Sequence, residues 1–329
     1  MKPLSKKQSY LSVSLLFLIF IIAAPIIVLY SFGYRLDSGF TIQKTGGIFI
    51  QSNIPNASVY FDDEYYKNNG LFLRNVLVQD LVPNRSYSFR MQKEGYQSWV
   101  KDIFVYPSIV TEGRVLMLPD QYEVREILPY IDAEGVLTAT PPRASALPNN
   151  TEYISILEIF EPKEEVKEPV VVAPSVSSSD VVEDVSTKQK PKTKLELFFE
   201  ELEIEDYEEL PNVIIEGKEV SWIENGNILL YWIDEDSTTP FYYCGGLERE
   251  CKTNMILDWM KPIIRFDYFP GRFDVWIVLV DDGIFAVEVD DRSERNIQTI
   301  YKGDNLDFRL VSGGRLLIRD DSSFFEINL

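Results

Sequence analysis

The chain has 329 residues, with 32 Lys and Arg against 52 Asp and Glu, a net charge of −20 and no histidine. That charge excludes a nucleic-acid partner, whose phosphates demand a basic face, and disfavours general adhesion to anionic lipid headgroups. The missing histidine removes every Ser-His-Asp and Cys-His arrangement and every His-containing metal site.

The first predicted element is a membrane helix over residues 11–34. Leu11 to Tyr34 carries no Asp, Glu, Lys or Arg. As a helix it would run roughly 36 Å, enough for a hydrocarbon core of about 30 Å. Lys2, Lys6 and Lys7 precede it, while Arg35 and Asp37 nearly cancel. The positive-inside bias then makes residues 1–10 a cytoplasmic tail and places the rest outside the cytoplasm. A cleaved secretory signal is the competing reading, and a buried soluble helix a third. The apolar run is longer than a signal's usual ~7–15 residues and lacks a small-residue cleavage site, which favours a retained anchor. The expected bilayer contact is Leu11 to Phe32, with Pro25 tolerated and Tyr30, Phe32 and Tyr34 as an interfacial belt.

Residues 45–119 read as a small antiparallel β-sandwich of about six strands. Gly46-Gly47 opens it, followed by strands at Ile48 to Ser52 and Ser58 to Phe61. Asp62-Asp63 stops the second strand, and Lys67-Asn68-Asn69-Gly70 is a turn signal. Tyr87, Phe89 and Met91 alternate with polar residues, which buries one face of a strand. Glu94 to Gln97 turns the chain, Trp99 to Tyr106 returns, and Arg114 to Leu118 closes the unit.

Four segments here resemble PEGA domains. Ile54 to Asp62 (IPNASVYFD) is similar to the family's P-x-G-A-x-V-Y-x-D-G start, and Val82 to Phe89 to its L-x-P-G-x-H-x-V segment. Lys93-Glu94-Gly95-Tyr96 is similar to K-x-G-Y, the most specific element, and Val115 to Leu118 to the last strand. Asn56, Asp63 and Asn84 stand where the family has glycine, and Asn and Asp tolerate left-handed backbone best. The resemblance implies a small sandwich on a bacterial envelope protein, a spacer or binder of envelope polymer, with no catalytic residues. Tyr65, Tyr66, Tyr96 and Trp99 are the candidates for stacking on sugar rings. The competing expectation puts Tyr96 and Trp99 in the core.

Residues 120–160 form a connector with a candidate strand at Tyr122 to Ile127. Thr151 to Phe160 suits a short helix or a strand equally. From 161 to 194, four prolines, a triple serine and dense charge predict a disordered linker. Residues 151–210 hold 17 acidic residues against 6 lysines, so most of the acidity belongs to this stretch. Leu195 to Leu210 has helical spacing and predicts an acidic amphipathic helix capping the domain that follows.

Residues 195–329 read as a β-rich domain of three hairpins. They turn at Glu224-Asn225-Gly226-Asn227, Asp281-Asp282-Gly283 and Asp320-Asp321-Ser322. The turns recur after 57 and 39 residues, and blades of β-propellers recur every ~40–45. The unit resembles part of a TolB-like or WD40-like propeller, although closed rings typically need about 4–8 blades. An incomplete ring, a ring joined by strands such as 122–127, and an open stack all stay open.

Cys244 and Cys251, with six residues between them, are the candidate disulfide outside the cytoplasm, with free thiols and a shared metal as alternatives. The acidic pairs Asp281-Asp282, Asp290-Asp291 and Asp320-Asp321 read as turn residues, with calcium and glycosidase chemistry as the sharper alternatives. No catalytic, cofactor or metal residues are assigned. The expected protein is a mainly β, single-pass cell-membrane protein with a structural or binding role. Its expected partners are the bilayer and an envelope polymer or protein. The alternatives are a polysaccharide hydrolase, or a sensor working through a membrane partner.

Overall fold

In the computed structural model the chain is mainly β, with one long N-terminal helix. The structure describes residues 6–36, 42–70, 74–127, 156, 159–160, 194–202, 204, 210, 212–234, 238–245 and 250–329. The predicted linker up to 193, and the connector from 128 to 155, lie outside the described residues.

Helix α1 spans Lys6–Ser31 with Pro25 inside it. Its stretch Ser12–Ser31, 20 residues, is long and apolar enough to cross a membrane. The helix starts earlier and stops sooner than the apolar run suggests. Gly33 takes φ 79, and the chain turns there into a strand. Only glycine adopts that backbone without cost.

The chain divides into two units. The first holds residues 1–121, 240–251 and 287–298. Strands β1 (Tyr34–Leu36) and β2 (Ile42–Lys44) form a ribbon. Two sheets follow, built from β3 (Gly46–Ser52), β4 (Ser58–Phe61), β5 (Glu64–Asn68), β6 (Asn75–Leu81), β7 (Arg85–Gln92), β8 (Trp99–Val105) and β9 (Val110–Val115). Their orders are β6-β3-β9 and β5-β4-β7-β8. The core lies among Ile48, Ile50, Val59, Val76, Val78, Tyr87, Phe89, Met91, Trp99, Ile103 and Val115. Gly46 is needed because a Cβ there would run into Val105 Cγ1 and the Tyr106 carbonyl.

Three expectations for this unit need correction. The sandwich is not wholly antiparallel, because β9 pairs with β3 in parallel. The hairpin β7–β8 lies in one sheet, so the chain must cross to the other, and it joins β3 running the same way. Asp62-Asp63, read only as a strand stop, make the hairpin turn, and Lys67 and Asn68, read as part of a turn, still belong to β5, which ends there. Both aspartates have positive φ, 47 and 66, which suits a tight hairpin, and β5 pairs with β4 directly after them. Asn69 is instead buried: its Oδ1 accepts from Ala57 N at 2.6 Å and its Nδ2 donates to Ile54 O at 2.7 Å. It thereby fixes the Ile54 to Ala57 turn from a distance. The closing strand also sits earlier than expected, at Val110–Val115 rather than Arg114 to Leu118.

The second unit holds residues 122–239, 252–286 and 299–329. Helix α2 (Lys194–Glu201) is shorter than the predicted 195–210. It packs Phe198 and Phe199 on Trp222 and Tyr231. The remaining strands of the chain are β10 (Arg125–Ile127), β11 (Ile214–Glu216), β12 (Glu219–Glu224), β13 (Asn227–Trp232), the pair β14 (Cys244–Gly245) and β15 (Glu250–Cys251), which falls in the first unit, then β16 (Asn254–Leu257), β17 (Arg265–Tyr268), β18 (Val275–Val280), β19 (Gly283–Glu288), β20 (Ile297–Lys302), β21 (Leu306–Val311), β22 (Arg315–Asp320) and β23 (Ser323–Asn328). Three further sheets among the described residues have four strands each, ordered β11-β12-β13-β16, β17-β18-β19-β20 and β10-β23-β22-β21. The predicted hairpins at Asn225-Gly226 and Asp321 carry the positive φ expected of their turns, 52, 78 and 51. The candidate strand at 122–127 pairs, over Arg125–Ile127, with β23. Ile156 and Phe160 are helical and buried with Ile127, Leu317 and Phe324.

Candidate functional site

The K-x-G-Y turn builds a groove on the first unit. Gly95 has φ 77 and open space around it, so backbone conformation alone calls for glycine. Tyr96 N donates to Lys93 O, and Asp120 N donates to Gly95 O. The groove, about 490 Å³, is lined by Tyr60, Tyr96, Gln92, Gln97, Glu94 and Asp120, with Ser58, Lys93 and Ser98. Tyr96 is half-buried and packs on the core; the Lys93 ammonium sits 5.1 Å from its ring centroid. Tyr60 holds Arg90 over its ring at 4.7 Å. Two tyrosines beside carboxylates and amides can offer both ring contact and hydrogen bonds to a hydroxyl-rich ligand.

The other aromatic candidates separate. Tyr65 and Tyr66 are exposed on edge strand β5, with Tyr65 edge-on to Tyr60 at 5.9 Å. Trp99 is fully buried and therefore cannot stack on an external ring. Tyr96 and Tyr60 come together, and Tyr60 was not singled out in the sequence. Its outward place on β4, between inward Val59 and half-buried Phe61, is the period-two signal that marks it.

Cys244 and Cys251 are disulfide-bonded across the β14–β15 pair. Their hairpin groups with the first unit rather than with the second. Asp281 and Asp282 occupy a turn and share the Lys261 ammonium at 2.7 and 3.0 Å. Asp321 accepts from Asn305 Nδ2 beside its own turn. Among the described residues no group of three or more His, Cys, Asp or Glu side chains is placed to hold a metal ion.

Asp290 departs from the turn reading. It is buried, and Arg292 binds it through two hydrogen bonds, Nε to Oδ1 at 2.9 Å and Nη2 to Oδ2 at 2.8 Å. Lys101, equally buried, donates to Glu288 Oε2 at 3.1 Å and to the Asp290 carbonyl at 2.9 Å. Trp99 Nε1 donates to Glu288 Oε1, and Asn296 Nδ2 to Glu288 Oε2. Asn296 also caps the edge of β8, exchanging both hydrogen bonds with the Val100 backbone. This charged cluster is an anchor for the segment 287–298 within the first unit. Lys101 belongs to the inward row Trp99, Lys101, Ile103, Val105, an out-of-place charge that an alternation count could have found.

Burial pushes the Glu288 carboxyl above its ordinary value, against the pull of Lys101. Burial acts the same way on Asp290, but Arg292 and Lys101 outweigh it and hold that carboxyl below its ordinary value. The two therefore act on stability with opposite signs. A raised carboxyl favours folding at low pH, and that advantage is lost as pH climbs from its unfolded value through the folded one. A depressed carboxyl supplies stability above its unfolded value and loses it as pH falls. Denaturant unfolding of wild type and Glu288→Gln is thus expected to diverge as pH rises above about 4.5, with wild type losing ground to the variant. A constant difference across that range would contradict the assignment.

No family model, curated protein or solved structure matches the chain.

Proposed function

We propose that the protein is a membrane-anchored, non-catalytic binding module of a cell envelope. The observation that carries this reading is the junction at the end of α1. The apolar helix runs into the first unit with no spacer: Thr45 donates to the Gly33 carbonyl through N at 2.9 Å and Oγ1 at 3.0 Å. A helix suited to lipid thus holds a β-sandwich close to the surface it leaves. The lysines ahead of the apolar run favour a cytoplasmic N-terminus, with both units on the other side.

The PEGA-like reading of the first unit is supported by its two stacked sheets and by the positive-φ residues Asn56, Asp63 and Asn84 at the positions of the family's glycines. The propeller-like reading of the second is supported by its three four-stranded sheets. In one of them β10, the first described strand of the unit, pairs with β23, the last. Propellers repeat four-stranded sheets radially, which leaves only short, protected edges.

The groove at Tyr60 and Tyr96 is the binding surface in this reading, and a hydroxyl-rich envelope polymer is its ligand. Co-sedimentation of the detergent-solubilised chain with insoluble cell-wall polysaccharide tests it. Wild type is expected in the pellet, and Tyr96→Ala is expected to weaken binding about tenfold, a loss of the size seen for a central aromatic contact. Equal pelleting of both would remove the groove from the account.

A further inference from the structure

A second cleft lies where α1 meets the first unit. Its volume is about 730 Å³, and Phe32, Tyr34, Arg35, Lys44, Ser108 and Val110 are among its lining residues. Arg35 is committed to the junction itself. Its guanidinium stacks on the Tyr30 ring at 3.5 Å, donates to the Tyr30 and Tyr34 carbonyls, and pairs with Asp80 at 2.7 Å. Asp80 offsets its charge. Lys44 is exposed on β2, with its ammonium 5.5 Å from the Tyr34 ring centroid, and supplies the cleft's surplus positive charge. Phe32 and Val110, both more than half exposed, give the same cleft an apolar rim.

Depth decides what such a cleft can meet. The 20-residue stretch Ser12–Ser31, apolar on average, covers about 30 Å as a helix, the thickness of the hydrocarbon core. Ser31 then lies at the edge of the core, and the cleft that starts at Ser31 lies in the headgroup layer. One cation, a tyrosine and an apolar rim at that depth match a phosphate ester with its glycerol and upper acyl chains. We propose that this cleft is a binding site for the headgroup of an anionic phospholipid, with Lys44 as its main charge contact. It rests on the membrane-anchor reading and concerns one bound lipid, since the charge of −20 disfavours adhesion over the whole surface.

The test reconstitutes the full chain in nanodiscs of phosphatidylcholine alone and of phosphatidylcholine doped with phosphatidylglycerol. Native mass spectrometry then reads the lipid retained on release. Wild type is expected to keep phosphatidylglycerol in about fivefold excess over its share, and Lys44→Gln to abolish the preference. Glycerol phosphate added in solution is expected not to displace the lipid. Equal retention of both lipids by wild type, or an unchanged preference in Lys44→Gln, overturns the proposal. Displacement by glycerol phosphate overturns it as well, by making a free phosphate the ligand. Incorporation into nanodiscs is scored first, so a chain that enters neither kind overturns the anchor reading separately.

Discussion

Lys101→Met is expected to lower the stability of the first unit by about 3–5 kcal/mol. The lysine is 2% exposed and faces two carboxylates that are themselves buried. Removing it leaves Glu288 facing Asp290 with Arg292 as the remaining cation of the cluster, and Arg292 is bound to Asp290 rather than to Glu288. An uncompensated buried charge costs far more than the pair contributes, because the desolvation is no longer offset. Chemical denaturation measures the loss. The double variant Lys101→Met with Glu288→Gln is expected to be more stable than Lys101→Met alone, since the orphaned charge is gone. If the double variant is worse, the harm comes from lost packing and the electrostatic account fails.

Trp222→Ala is expected to cost the second unit about 3–5 kcal/mol. Trp222 is 1% exposed, stacks flat on Tyr231 at 5.2 Å, and meets Phe199 of α2 at 5.8 Å. Its loss removes the floor on which α2 rests. An eight-residue helix is too short to persist in water without packing. Limited proteolysis should therefore cut within Lys194–Glu201 in the variant well before global unfolding. Cleavage there at the wild-type rate would show that α2 does not depend on the tryptophan.

What the residues disclose in advance depends on how far apart the partners lie. The hairpin at Asn225-Gly226 is legible because its turn chemistry sits in adjacent residues, and the pairing Ile223 with Ile228 follows from it. The α1 helix is legible because its solvent preference is written into consecutive side chains. Tyr60 and Tyr96 are 36 positions apart and meet through strand pairing and the Gly95 turn, so only Tyr96 stood out. The Lys101–Glu288 pair spans 187 positions. No local pattern announces its partner, although a lysine in an inward row announces that a partner must exist. Asn69 was legible only in part. Asn-Gly is a turn signal by composition and β5 does end at Asn68, but the burial of the Asn69 amide against another loop's backbone is a distant contact that no local pattern shows. The parallel β3–β9 pair depends on a crossover between sheets, which strand spacing alone does not encode.

The most direct test of the account is protease protection on cells stripped of any outer barrier, using the full chain tagged at its C-terminus. The tag is predicted to vanish on adding protease to the intact cells, while a fragment carrying α1 stays in the membrane pellet and resists alkaline extraction. A tag that survives until the membrane is broken, or a full-length chain recovered in the cytosol, would contradict the anchored arrangement on which the proposed ligands of both the Tyr60–Tyr96 groove and the α1 junction cleft depend.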